Sequence, residues 1–244
     1  MVYILQKLII QKGEILKRTI SILLFMFMFA SLADAQVYRP WWNVLVKGSV
    51  GFPTSDSAFT DGSSTFPGAQ LELAYNFHRN WGVYGNFSAD FIPSKTSSAT
   101  LPGATIEYKT SKQFSGYIGP RYYFPMDSKN LMVYADLGVG IYSFSQGDAV
   151  ATNTANGTTQ TAAYSSISQM GINGGAGLNV TVSPSMFLNF GAKYHSIFSK
   201  SGISVTRTTT YSNGAPTQTD TFTGDATSRG YFQLTAGVGF VFGR

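Results

Sequence analysis

The chain has 244 residues, 43% of them hydrophobic, 15% aromatic and only 12% charged, with 26 glycines and no cysteine. A charged fraction near half of the roughly 25% usual in soluble domains excludes an ordinary soluble helical protein, and the missing thiols exclude a disulfide framework, a thiolate metal site and a cysteine nucleophile. The formal net charge of +5 includes four leader bases (Lys7, Lys12, Lys17, Arg18) and two leader acids (Glu14, Asp34), and the remaining charges are scattered without a basic stripe, so no nucleic-acid partner is expected.

The first element is a leader. Lys17-Arg18 precede Ile20 to Phe29, an apolar run interrupted only by Ser21. Ser31-Leu32-Ala33-Asp34-Ala35 then places small residues at the −3 and −1 positions of a cleavage site. The run is too short for a bilayer span, which needs about 20 apolar residues. The expectation is a signal peptide over residues 1–35, cut between Ala35 and Gln36, with residues 36–244 as the mature domain. Gln36 is not cysteine, so a lipid anchor is not expected there. LKRTISILLFMF would serve as a signal peptide if translation began at position 16, which points to a later true start.

From residue 42 on, apolar and polar residues alternate in segments of roughly ten, the period of a β-strand with two unlike faces. The first runs Trp42, Val44, Val46, Val50, Phe52 against Asn43, Lys47 and Ser49, and Leu45 breaks it. The second runs Ala69 to Phe77 against Gln70, Glu72 and Asn76. The third runs Trp81 to Phe91 against Tyr84, Asn86, Ser88 and Asp90. The fourth, starting near Ile106, ends in SGYIGPRYYF and sets Ile118, Pro120, Tyr122 and Phe124 against Tyr117, Arg121 and Tyr123. The fifth sets Leu131 to Ile141 against Tyr134, Asp136 and Tyr142. The sixth sets Met170 to Val182 against Gln169, Asn173, Asn179 and Thr181. The seventh sets Met186 to Tyr194 against Asn189, Lys193 and His195, and the last sets Phe232 to Phe242 against Gln233 and Thr235.

Connections alternate in length. Short ones follow segments two, four and six; long ones, roughly 53–67, 93–104, 147–166 and 199–229, follow the others. The long ones are rich in Ser, Thr, Asn, Asp and Gly, with turn dipeptides such as Asp61-Gly62 and Asn213-Gly214, and read as exposed loops. In the longest, Thr206 to Tyr211 and Gln218 to Phe222 suit a hairpin above the membrane. A soluble barrel or sandwich also alternates, but three features oppose it. The polar face carries few charges. The apolar face ends in aromatics, with Trp42, Phe77, Trp81, Phe124 and Phe242 near the short turns and Phe52, Phe91 and Phe198 near the long loops. Glycines crowd the polar face, as suits a narrow interior. The expected fold is therefore all-β: an eight-stranded antiparallel up-and-down transmembrane β-barrel.

The leader, SGYIGPRYYF with its short turn, YADLGVGIY at 134–142 and the closing GYFQLTAGVGFVF at 230–242 resemble the small eight-stranded outer-membrane barrels, the OmpA-like and OmpX-like porin-family domains. The resemblance covers almost all of the mature chain. It implies a bacterial outer-membrane location, contact with outer-membrane lipid and lipopolysaccharide, and insertion by the outer-membrane assembly machinery. Such barrels end on an aromatic that this machinery reads; here Phe242 is followed by Gly243-Arg244. Nothing in this sequence matches a peptidoglycan-binding domain.

Eight strands enclose a space that side chains just fill. The inward set holds Lys47, Glu72, Asp90, Arg121, Asp136 and Lys193, three acids and three bases. A lipid-facing arginine at the midplane would cost about 2–4 kcal/mol. An unpaired buried charge is also costly. The expectation is a neutral ionic network in the lumen, with Tyr84, Tyr117, Tyr123, Tyr134 and Tyr142 filling the remaining space. A barrel enzyme acting on lipid A would need an adjacent nucleophile and base. His195 and Ser196 are neighbours, so alternation sends them to opposite faces. No catalytic, cofactor or metal site is expected. The supported function is a structural or interaction role through four extracellular loops, with an extracellular protein or host-surface ligand as partner. A small channel and a lipid A-modifying enzyme are the alternatives.

Overall fold

The computed structural model describes residues 40–55, 63–94, 98–101, 104–128, 130–153, 158–211 and 215–243. The leader with its cleavage point at Ala35 and Gln36, and the turn dipeptides Asp61-Gly62 and Asn213-Gly214, lie outside the described residues.

Eight long strands close an antiparallel barrel: β1 (Trp41–Ser55), β2 (Phe66–Asn76), β3 (Trp81–Ile92), β6 (Ser111–Tyr123), β7 (Leu131–Ser145), β10 (Ile167–Ser183), β11 (Met186–Ile197) and β14 (Arg229–Phe242). Each pairs with its neighbours around the wall, and β1 closes on β14 with Trp42 opposite Phe242 and Phe52 opposite Phe232. The expected up-and-down transmembrane topology is the one observed. Tight turns join the strands at one end. His78 and Trp81 exchange backbone hydrogen bonds of 3.1 and 3.2 Å, and only Pro184 and Ser185 separate β10 from β11.

Alternation works as a wall should in lipid. Leu71, Phe87, Ile118, Leu137, Ile141 and Met170 are exposed outward, at 53–67% for these six. The aromatic girdle residues Trp42, Phe77, Phe124 and Phe242 at one rim, and Phe52, Phe91 and Phe198 at the other, are exposed on the same face. Inward side chains are buried and mostly polar. Glycine is required where rings cross the lumen. A Cβ on Gly239 would strike the Phe187 ring, and one on Gly177 would strike Tyr134.

Three features differ from the sequence reading. Leu45 does not interrupt β1: the alternation is regular and Leu45 is buried in the lumen beside Glu72 and Gly239 in register. An apolar residue is welcome there because it fills space against neighbouring rings. The fourth segment does not run unbroken from Ile106, since a separate strand β5 (Ala104–Tyr108) ends before β6 begins at Ser111. The largest difference is in the long connections. They are not simple loops; besides β5 they hold β4 (Ser98–Leu101), β8 (Ala149–Asn153), β9 (Thr159–Tyr164), β12 (Lys200–Thr210) and β13 (Gln218–Ala226). These form a second sheet in the order β13-β12-β9-β8-β5-β4. The expected hairpin is its β12–β13 pair, with Thr206 opposite Thr221. Alternating threonine and small residues do not announce a strand as bulky apolar ones do, and pairing with adjacent loops supplies the missing stability.

Candidate functional site

The lumen is the first candidate. Its charged side chains come from β1, β2, β6, β7 and β11, each delivered inward by strand parity. They form one chain. Lys47 Nζ lies 2.6 Å from Glu72 Oε2, and Arg121 Nη1 lies 2.6 Å from Glu72 Oε1. Arg121 Nη2 lies 2.8 Å from Asp136 Oδ2, and Lys193 Nζ lies 3.1 Å from Asp136 Oδ1. All five are buried. Taking such ions out of water costs several kcal/mol each, which the pairing must offset. Aromatic faces assist. The Arg121 guanidinium sits 4.1 Å from the Tyr134 ring centre and 4.7 Å from that of Tyr84, and Lys193 Nζ lies 4.4 Å from Tyr84. The rings supply further attraction to cations held away from water.

Asp90 stands apart. It is buried, but none of the ion pairs among the described residues includes it. Its carboxylate accepts from Ser88 Oγ at 2.8 Å, Gln233 Nε2 at 3.1 Å and Ser49 Oγ at 3.5 Å. The expected six-member network is therefore a five-member one with Asp90 outside it. Register explains this: Asp90 is opposite Gly68 and Gln113, several residues along the strands from Glu72 and Arg121. A neutral hydrogen-bonded chain bridges the two zones. Gln233 Oε1 meets His195 Nε2 at 3.1 Å, and His195 Nδ1 meets Tyr142 Oη at 2.9 Å. Asn173 Nδ2 donates to Tyr142 Oη at 3.2 Å, Tyr84 Oη donates to Asn173 Oδ1 at 3.0 Å, and Lys193 Nζ donates to Tyr84 Oη at 3.1 Å.

Sequence reasoning placed His195 inward but missed how central Gln233, Gln113, Asn173 and Tyr231 are. Tyr231 stacks on His195 at 4.4 Å between centroids and accepts from Gln113 Nε2 at 3.0 Å. The available signal was parity alone, since each alternates with an outward apolar residue. Above this layer Phe66, Ile92, Tyr142, Phe144, Ile197 and Tyr231 pack into an apolar cluster. A void beside Lys47, Gln70, Asp136, Lys193 and Gln233 measures about 10 Å³, room for one water at most.

His195 does not build a catalytic pair with Ser196. His195 is fully buried in the lumen, whereas Ser196 is on the other face of β11 and only partly buried. Among the described residues no group of three or more His, Cys, Asp or Glu side chains could hold a metal ion.

The second candidate is the six-stranded sheet built by the long connections. Its edge strand β13 is exposed along most of its length, and Arg207 pairs across β12–β13 with Asp220 at 2.9 Å. Phe222 and Tyr108 are exposed on it at 49% and 40%.

The outer membrane protein beta-barrel domain family matches residues 21–242. Among solved structures, a major outer membrane protein from Thermus thermophilus is similar at 13% identity, covering 84% of this chain and 100% of that one, with a TM-score of 0.51. The outer membrane protein OprG from Pseudomonas aeruginosa follows at 17% identity, 86% and 100% coverage and a TM-score of 0.49. Neisserial surface protein A matches at 14% identity, 82% and 96% coverage and a TM-score of 0.48. No curated protein matches the chain.

Proposed function

Since the chain belongs to the outer membrane protein beta-barrel domain family, and so sits in the bacterial outer membrane, we propose that it is a structural and interaction protein rather than an enzyme or a channel. The observation that carries this reading is the interior. Five buried charges pair into one chain, tyrosines fill the space around them, and the void beside them is about 10 Å³. A path for ions needs a file of waters, and the void beside these charges has room for one water at most. Function then belongs to the extracellular sheet, where an outer-membrane glycolipid, a protein or a host surface would meet the protein. Among the described strands β13 ends the sheet, and it has neither lysine nor proline, only Asp220 and Asp225, to guard its backbone, so it suits strand addition by an extended partner segment.

Two further parts of the reading concern biogenesis. The leader directs export and is removed after Ala35, which N-terminal mapping of the mature protein tests. The assembly machinery engages β14, whose last outward aromatic is Phe242.

The decisive test is single-channel recording from residues 36–244 refolded into planar bilayers, beside Arg121→Leu. Absence of stable conductance in the wild type supports a closed barrel. Regular unitary steps from the wild type would overturn it and make this a channel.

A further inference from the structure

The lipid-facing side of the barrel carries a hollow. On β3 the outward residues run Val83, Gly85, Phe87, and on β6 they run Phe114, Gly116, Ile118. Gly85 is opposite Ile118 and Gly116 is opposite Phe87, so the two glycines are diagonal neighbours. The missing side chains leave a cavity of about 620 Å³ open to the bilayer, walled by Leu71 and Leu73 on one side and by Val139 and Ile141 on the other. That volume is within the roughly 300–1,000 Å³ of ligand pockets.

Packing within the barrel does not call for these glycines. A Cβ on Gly177 or Gly239 would strike a ring, whereas one on Gly85 or Gly116 would meet no atom within 4 Å. Neither glycine marks a bulge, because β3 and β6 keep one register from Trp81 opposite Tyr122 to Ile92 opposite Ser111. Glycine weakens a strand interior, and where no bulge requires it, it marks the close approach of something from outside. Gly85 stands between Trp81 at one aromatic rim and Phe91 at the other, so the hollow is near the middle of the wall.

Toward the long connections the same face turns polar. Lys112 is exposed there, opposite Phe91 of the rim and Ser145 of β7. None of the ion pairs among the described residues includes it. One rank lower Phe114 is opposite Ser143, whose hydroxyl accepts from Ser168 Oγ of β10 at 3.4 Å. The next rank is Gly116, Ile141 and Met170, which already border the hollow. From Lys112 to Gly116 is four residues, about 14 Å along the strand, close to the depth of one leaflet, about 15 Å. From Lys112 on β6 to Ser168 on β10 is two strand spacings, about 10 Å, which is wider than one phosphate and suits a sugar headgroup. Beyond the rim the register of β6 with β7 runs on without a shift into β5 with β8, through the Lys109–Asp148 backbone bond. The polar patch therefore stands between the hollow and the six-stranded sheet.

We propose that the hollow holds one acyl chain of a phosphorylated glycolipid from the leaflet on the Lys112 side, with the lipid's phosphate at Lys112 and its sugar hydroxyls at Ser143, Ser145 and Ser168. The apolar walls suit the chain, the cation suits the phosphate, and serine hydroxyls both donate to and accept from sugar hydroxyls. A second copy of the chain centred here on a twofold axis would set hollow against hollow and leave it unfilled. The inference takes from the reading above only that the six-stranded sheet is the external end, and it is independent of whether the lumen conducts.

The test releases the full barrel from nanodiscs into native mass spectrometry and counts the lipid it retains. The nanodiscs contain bisphosphorylated lipid A, the same lipid A with its phosphates removed, or phosphatidylglycerol. The wild type should retain one bisphosphorylated lipid A and hold it about tenfold more tightly than either of the others. Gly85→Leu with Gly116→Leu fills the hollow and should weaken that retention about tenfold at unchanged thermal stability. Lys112→Gln should bring bisphosphorylated lipid A down to the level of the dephosphorylated form. Gly48→Leu, outward on β1 and away from the hollow, should retain lipid as the wild type does. Wild-type retention by the filled variant, equal loss in Gly48→Leu, or equal retention of lipid A with and without phosphates would overturn the proposal. Phosphatidylglycerol held as tightly as lipid A would overturn the glycolipid as occupant. A dimer that the filled variant loses would give the hollow to a second copy instead. The lipid comparison and Lys112→Gln decide the proposal even where the filled variant fails to fold. Conductance decides the closed-lumen reading separately, so failure of one leaves the other standing.

Discussion

The lower and upper halves of this wall share one register and differ in what lines them. In the barrel the inner face holds Lys47, Glu72, Arg121, Asp136 and Lys193, tied in ion pairs of 2.6–3.1 Å and buried under rings. In the upper sheet the inner face holds threonines, and the Arg207–Asp220 ion pair stands on the outer side, about half exposed. The difference teaches that strand pairing sets where a side chain goes, while the access of water sets what it contributes. A charge in the lumen has no alternative to its partner. A charge on the upper sheet has water.

Substitutions that separate those two environments can break the comparison, and the largest effect is expected at Arg121. Arg121→Leu leaves Glu72 with Lys47 alone and Asp136 with Lys193 alone, and the loss of two hydrogen bonds between charged groups should cost about 3–5 kcal/mol. Thermal unfolding in detergent micelles reads this directly. Wild-type stability in that variant would show that the ion chain does not hold the barrel. Next is Gly177→Val, whose side chain must displace the Tyr134 ring. Overpacking of this kind should cost about 1–3 kcal/mol, seen as a lower midpoint in urea. Asp90→Asn sharpens the contrast within the lumen. Asp90 has no cation among the ion pairs of the described residues, and asparagine can still accept from Gln233 through its oxygen while its amide nitrogen donates to the Ser88 hydroxyl, which accepts as well as donates. Its effect should stay below about 1 kcal/mol, the value of one ordinary hydrogen bond. A loss as large as that of Arg121→Leu would place Asp90 inside the ionic network after all. The smallest effect is expected for Arg207→Ala, since exposed pairs contribute about 0.2–1 kcal/mol and fade with salt. A change in midpoint that survives high salt would count against the screened-pair account.

Much of the barrel was legible in the primary structure. Lys47, Glu72, Arg121 and Asp136 read as inward from period two alone, because each sits between residues that suit lipid. The girdle aromatics were legible for the same reason. Leu45 was not, because an apolar residue is compatible with either face, and only its neighbours Gly239 and Glu72 across the strands show that the lumen needs its bulk. Asp90 was legible as inward but not as solitary. Its distance from the cations depends on the stagger of β3 against β6, which no local pattern encodes. The central place of Gln233 and Tyr231 was hidden likewise, since a polar residue of correct parity says nothing about which partner it meets across the lumen.

Sequence by itself determined the strand count of the barrel, the two faces of each strand, the aromatic rims and the sign of the charges sent inward. These follow from a two-residue period and from the cost of polar groups in lipid, both local properties of the chain. Tertiary structure alone decided that the connections holding β4 and β5, β8 and β9, and β12 and β13 rise as one sheet, and that their threonines line its inner face. Those outcomes depend on hydrogen bonds between loops far apart in the chain. A threonine run becomes a strand only when a neighbouring strand is there to pair with it.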